Sequence, residues 1–185
     1  MKPVERNEIV DYQTYNDGRA RSRPLAIAAK NVRRIIVSEH FTFLFENRDT
    51  VRYQVQEMMR AERIVRDAQI EHELHTYNEL LGGPGQLGCT LLVTIDSEAE
   101  RDIKLKAWLD LNSRIYAKLE DGTKVGPTFD PRQVGDERLS SVQYLKFQVG
   151  DKAPVAMGVD GDAAAGGAEW VLSDEQRAAL QADLL

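Results

Sequence analysis

Along residues 47–83, NRDTVRYQVQEMMRAERIVRDAQIEHELHTYNELLGG, apolar positions recur at helical spacing, yet carboxylates fall among them. Asn47 is placed to cap a first helix with Asp49 in its first turn, and the periodicity runs to about Arg66. A second helix is predicted over about 68–81, stopped by GGPG. The period then changes from 3.6 to 2, so LGCTLLVTI reads as a strand. Upstream, a helix is predicted around 24–33, followed by β-rich pieces at 34–38 and 41–45 that flank Glu39 and His40.

Downstream, Ser97 with Glu100 reads as a capping box opening a helix to about Trp108. RIYAKLEDGTKVGPTF predicts a hairpin around Asp121-Gly122, and SSVQYLKFQV and APVAMGV predict further strands. The low-complexity DGDAAAGGA predicts a flexible loop over 160–168, before Trp170 and a short C-terminal helix capped at Ser173. Helices and strands come in segregated groups. The expectation is therefore an α+β fold in which an antiparallel helical pair packs on a mainly antiparallel sheet, one domain over residues 1–185.

Composition changes this picture in three respects. The longest apolar runs, TLLVTI and FTFLF, are far short of a membrane span, and the N-terminus lacks the apolar block of a signal peptide, so a cytoplasmic protein is expected. The lone Cys89 has no disulfide partner and sits in a strand pattern that predicts a buried thiol. The net charge of −6 is uneven, with thirteen Lys and Arg against nine Asp and Glu in residues 1–66 and eleven against twenty-one thereafter. The arginines of GRARSRP and NVRR point either to an anionic partner or to pairing with the acidic remainder, and the second is expected. No aromatic-interleaved basic motif accompanies them, so nucleic acid is not the expected partner.

Helical-wheel arithmetic at about 100° per residue then locates candidate chemistry. In the first helix Val51, Val55, Met58, Met59, Ala61 and Val65 share one arc, and Glu62 lies near its middle, whereas Gln56 falls opposite and Glu57 at the boundary. In the second helix Ile70, Leu74, Tyr77, Leu80 and Leu81 share an arc that includes Glu73. Glu62 and Glu73 are accordingly expected to be buried, and a buried carboxylate must be paired, ligate a cation or be protonated. His40, just ahead of the first helix, is expected to face them. Glu57, Glu62, Glu73 and His40 then make an oxygen-rich set suited to iron or manganese. His72 and His75 lie on the outward face and lack the four-residue spacing of a zincin motif. There is no Ser/His/Asp signature, and GGPGQLG lies after a helix and before a strand, the wrong order for a phosphate loop.

The stretches EHFTFLFENRDTVRYQVQEMMRAERI, QIEHELHTYNELLGGPGQLGCTLLVTI and SSVQYLKF resemble a bacterial family of unknown function, a similarity spanning about residues 24–150. The positions that carry it are His40, Glu46, Asn47, Thr50, Gln54, Glu57, Glu62, Glu73, Tyr77 and Asn78. Genes of that family commonly lie beside a rubrerythrin-like protein and an iron-sulfur oxidoreductase, so the resemblance implies a setting in redox or peroxide defence. Three readings follow. The chain is an accessory protein that docks on one of those partners, or a metal-binding protein or enzyme, or its carboxylates serve packing alone.

Overall fold

The computed structural model describes residues 1–162 and 166–185 of the chain. Its α+β architecture contains six α-helices and nine strands among the described residues. Helix α1 (Tyr12–Asn31) begins at Asp11, whose carboxylate accepts from the amides of Gln13 and Thr14. It is longer than the helix predicted around 24–33, because an Asp cap and a tolerated internal Pro24 carry no hydrophobic periodicity to reveal them. Strands β1 (Arg34–Ile36) and β2 (Phe41–Phe45) follow, then α2 (Arg48–Glu62) and α3 (Asp67–Asn78). Asn47 and Thr50 cap α2 reciprocally, each side chain accepting from the other residue's amide.

Strand β3 (Gln86–Val93) lies at the centre of a five-stranded antiparallel sheet of order β1-β2-β3-β7-β6, with β6 at Pro127–Thr128 and β7 at Val142–Gln148. A second sheet has the order β5-β4-β8-β9, formed by Lys124–Val125, Ile115–Lys118, Ala156–Val159 and Ala168–Val171. Gly122, at φ 86°, makes the predicted turn between β4 and β5. Helix α4 (Glu98–Ala107) has the Ser97 cap but not the full predicted box, since the Glu100 carboxylate pairs with Lys104 instead; α5 (Leu111–Arg114) is one short turn, and α6 (Asp174–Leu184) is capped at Ser173. The loop predicted over 160–168 is shorter than expected, since Ala168 already pairs with Val159 as the start of β9, and its centre at 163–165 lies outside the described residues.

Period-2 alternation decides what each face of the first sheet meets. Phe41, Phe43, Phe45, Leu87, Leu91, Leu145 and Phe147 point into a core shared with Ile115, Ala117, Met157 and Val159 of the second sheet and with Leu105, Leu111 and Leu180 of the helices. Residues of opposite parity, Gly88, Thr90 and Tyr144, face the helical layer. That layer has its own apolar cluster, Val51, Val55 and Met59 of α2 with Ile70 and Leu74 of α3, closed by Val4 and Ile9 from the N-terminal segment.

The N-terminal segment is fastened by side-chain amides. Gln56 accepts from the Val10 amide at 2.9 Å and donates to its carbonyl at 3.0 Å, and Asn78 does the same for Val4 at 2.8 and 2.9 Å. This is why Gln56, assigned to the outer face by the wheel, is buried. Ion pairs of Arg48 with Glu8 and of Arg6 with Asp67 flank it. The opposite end of the chain is fastened by Arg33, whose guanidinium makes a two-pronged contact with Asp183 of α6 at 2.7 and 2.8 Å, both groups buried. Among the described residues no helix is long and apolar enough to cross a membrane.

Candidate functional site

The four expected metal-site residues are distributed over different surroundings. Glu57 is half-buried between α1 and α2, where Arg19 binds both of its oxygens at 2.7 and 3.0 Å. Tyr15 donates to it at 2.6 Å, and Arg60 reaches it at 3.3 Å. The Arg19 guanidinium, aided by the Tyr15 hydroxyl, holds the Glu57 carboxyl down to about 2 against the opposing effect of burial. Burial, reinforced by the carboxylate of Glu57, pushes the Tyr15 hydroxyl up.

A carboxyl depressed from an ordinary 4.5 stabilises the fold fully above about pH 5, and that contribution disappears as pH falls toward 2. Acid titration of unfolding should therefore show a loss of roughly 2 kcal/mol over this window that is absent in Glu57→Gln. An identical pH dependence in the variant would contradict the pairing.

Glu62 is exposed, contrary to expectation. Helix α2 ends at that residue, Arg63 takes a left-handed conformation at φ 52°, and the Ile64 amide turns back to the Met59 carbonyl. Ile64 thereby occupies the apolar position that a continuing helix would have given to Glu62 and Val65, and Val65 is left 68% exposed. Glu73 is half-buried; burial first, then the charges of both carboxylates, push the Tyr77 hydroxyl up, while the neighbouring Gln54 acts in the opposite direction. The meeting of Gln54 with Tyr77 across the helical pair follows the inward arcs of the two wheels.

His40 lies ahead of β2, whereas α2 starts beyond that strand's other end, so His40 does not face the carboxylates. Its ring meets α4 instead. Nε2 accepts from the Lys104 ammonium at 2.7 Å, Nδ1 is 3.2 Å from the Thr94 carbonyl, and the ring packs on Trp108. Lys104 is in turn paired with Glu100 at 2.6 Å. Among the described residues no three His, Cys, Asp or Glu side chains converge as a metal shell. His72 and His75 are exposed, as the wheel predicts, and His75 pairs with Glu79 at 3.3 Å. Cys89 is buried, and desolvation followed by the charge of Glu46 pushes its thiol up, which suits a core residue better than a nucleophile.

Two features lie outside the expected set. The first is on α1. The expected pairing of the N-terminal arginines holds for Arg19 and Arg33 but not for Arg21, Arg23 and Arg34, which have no acidic partner among the described residues. Residues Ala20 to Leu25, in the middle of α1, are exposed without exception, and Leu25 is 74% bare. Beside them runs a groove of about 400 Å³ between α1 and α2, lined by Leu25, Ala26, Ala29, Tyr53 and Val10.

The second is a cleft of about 810 Å³ between the end of α3 and the β7–β6 part of the first sheet, bounded by Thr76, Tyr77, Leu80, Phe129, Tyr144 and Lys146. The arginines of GRARSRP were legible as a candidate surface for an anionic partner, but the groove and the cleft were not. The alternation of SSVQYLKFQV assigns Tyr144 and Lys146 to one face, but which element covers that face is a tertiary property.

No curated protein matches the chain. Among solved structures, the crystal structure of a novel protein of unknown function from Burkholderia pseudomallei K96243 is similar over all of both chains, with 26% identity and a TM-score of 0.86. The profile of the family described as Protein of unknown function (DUF3501) matches residues 3–184, and the chain belongs to that family.

Proposed function

We propose that this chain is an accessory protein of a redox or peroxide-defence system that docks through the middle of α1 onto an acidic surface of its partner. The observation that carries the docking reading is the exposed run from Ala20 to Leu25, which carries two arginines without an acidic partner among the described residues beside a bare leucine. Unpaired guanidinium groups next to exposed apolar surface match the composition of protein interfaces, where Arg is enriched. The net charge of −6 makes a basic edge distinctive, since most of this chain repels acidic partners. The redox setting is what the family resemblance implies, and it names the two proteins to try: a rubrerythrin-like protein and an iron-sulfur oxidoreductase.

The test is retention of each purified candidate partner on the immobilised chain at low and high salt, for the natural sequence and for Arg21→Glu/Arg23→Glu. The double reversal should abolish salt-sensitive retention while leaving the circular dichroism unchanged, because both side chains are exposed. Retention that is undiminished by the reversal, or absent for both partners, would sink the reading. Iron or manganese in near-stoichiometric amounts in protein purified without a histidine tag would move the assignment to a metal carrier or enzyme.

A further inference from the structure

We infer that the cleft between α3 and β7 is a binding site for an amphipathic monoanion, a molecule with a planar or otherwise apolar body and one negatively charged end. The apolar walls come from the rings of Phe129 and Tyr144 and from Leu80, with Tyr77 at the α3 side. Tyr144 is 52% exposed on β7, beside the edge strand β6, and this leaves an aromatic surface open to a ligand.

The charged groups of the lining differ in what they have left to offer. Arg132 is committed to Asp130, with Nε at 2.9 Å from the carboxylate, and the exposed Glu79 carboxylate lies 3.3 Å from His75. Lys146 is half-buried, and its ammonium has no hydrogen bond or ion pair among the described residues. An ammonium that is not already paired, standing beside apolar walls, is free to take a charge-assisted hydrogen bond to one anionic group, so the site calls for a single negative charge.

The cleft is also built on rigid parts. Lys146 and Tyr144 stand two residues apart on β7 and share a face, with β3 paired along the whole strand. The 3-10 turn Pro131–Gln133 is clamped to β7 by Gln133, which accepts from the Tyr144 amide at 2.7 Å and donates to its carbonyl at 2.9 Å. Such a preformed pocket spends little of its binding energy on ordering. Nothing in this inference depends on the docking surface of α1, which belongs to a different part of the helical layer.

Two fluorescent probes of nearly the same apolar body separate the charge from the walls: 1-anilinonaphthalene-8-sulfonate, which carries one sulfonate, and neutral N-phenyl-1-naphthylamine. The sulfonate probe should bind saturably to the natively folded chain, as judged by its near-ultraviolet circular dichroism. Lys146→Met should weaken it roughly tenfold, equivalent to about 1.4 kcal/mol, with less than a twofold change for the neutral probe. Lys146→Arg should restore sulfonate binding, and Tyr144→Ala should weaken both probes. The inference is overturned if the sulfonate probe does not saturate on folded protein, or if Lys146→Met leaves it unchanged or weakens both probes alike.

Discussion

Asp183→Ala should cost about 3–5 kcal/mol, enough to consume a large share of the stability of an ordinary domain. The carboxylate is the only acidic group reaching Arg33 within the described residues, and both are nearly inaccessible, so the truncation strands a buried guanidinium. Asn47, the cap of α2, also donates to Asp183 at 3.4 Å. The loss thus spreads from the C-terminal helix to the β1 and α2 junctions. Denaturant midpoints should fall accordingly, and the double variant Arg33→Met/Asp183→Leu should recover much of the loss, because removing both charges also removes their desolvation. A cost below about 1 kcal/mol for Asp183→Ala would mean that Arg33 finds water or another acceptor when the pair is cut.

Gly88→Ala should be comparably damaging. A methyl group at this position would overlap the Leu80 carbonyl oxygen, and Leu80 cannot withdraw, because the chain between α3 and β3 lies directly across the strand there and Gly82 abuts Gly88 from the same side. The neighbour is backbone and has no flexible end to move aside. The expected loss is about 3 kcal/mol or more, or failure to accumulate as soluble protein. Gly150→Ala is the useful comparison: a methyl group there meets open space, although its φ of 80° imposes strain of its own, about 1 kcal/mol. Equal midpoints for Gly88→Ala and the natural chain would show that the α3–β3 crossing is looser than its geometry implies.

The elements that could be read without coordinates share one property: their signals act within a few residues. Asn47, Ser97 and Ser173 cap helices through bonds to amides three residues on, GGPG ends the helical pair, and Asp121-Gly122 turns a hairpin. The two apolar arcs of α2 and α3 and the alternation of β3 and β7 follow from periods that neighbouring residues already express.

What was not readable depends on partners far apart in the chain. Strand β9 is only four residues long and owes its existence to the edge of β8. Glu62 looked buried because a wheel assumes that the helix continues, whereas the left-handed turn at Arg63 hands its apolar position to Ile64. Glu57, which the wheel left at a boundary, became the best-paired carboxylate of the helical layer because α1 brings Arg19 and Tyr15 against it from about forty residues away.

The amino-acid order alone therefore established the class of fold, most helix starts and the inward arcs of the helical pair, since each of these is enforced by local hydrogen bonding and hydrophobic period. Tertiary structure decided which charges are satisfied and which remain available. It joined Arg33 to Asp183 across 150 positions, left Arg21, Arg23 and Lys146 unmatched among the described residues, and opened the cleft beneath α3. Charge pairing and cavity shape depend on distances between elements, and no local rule specifies them.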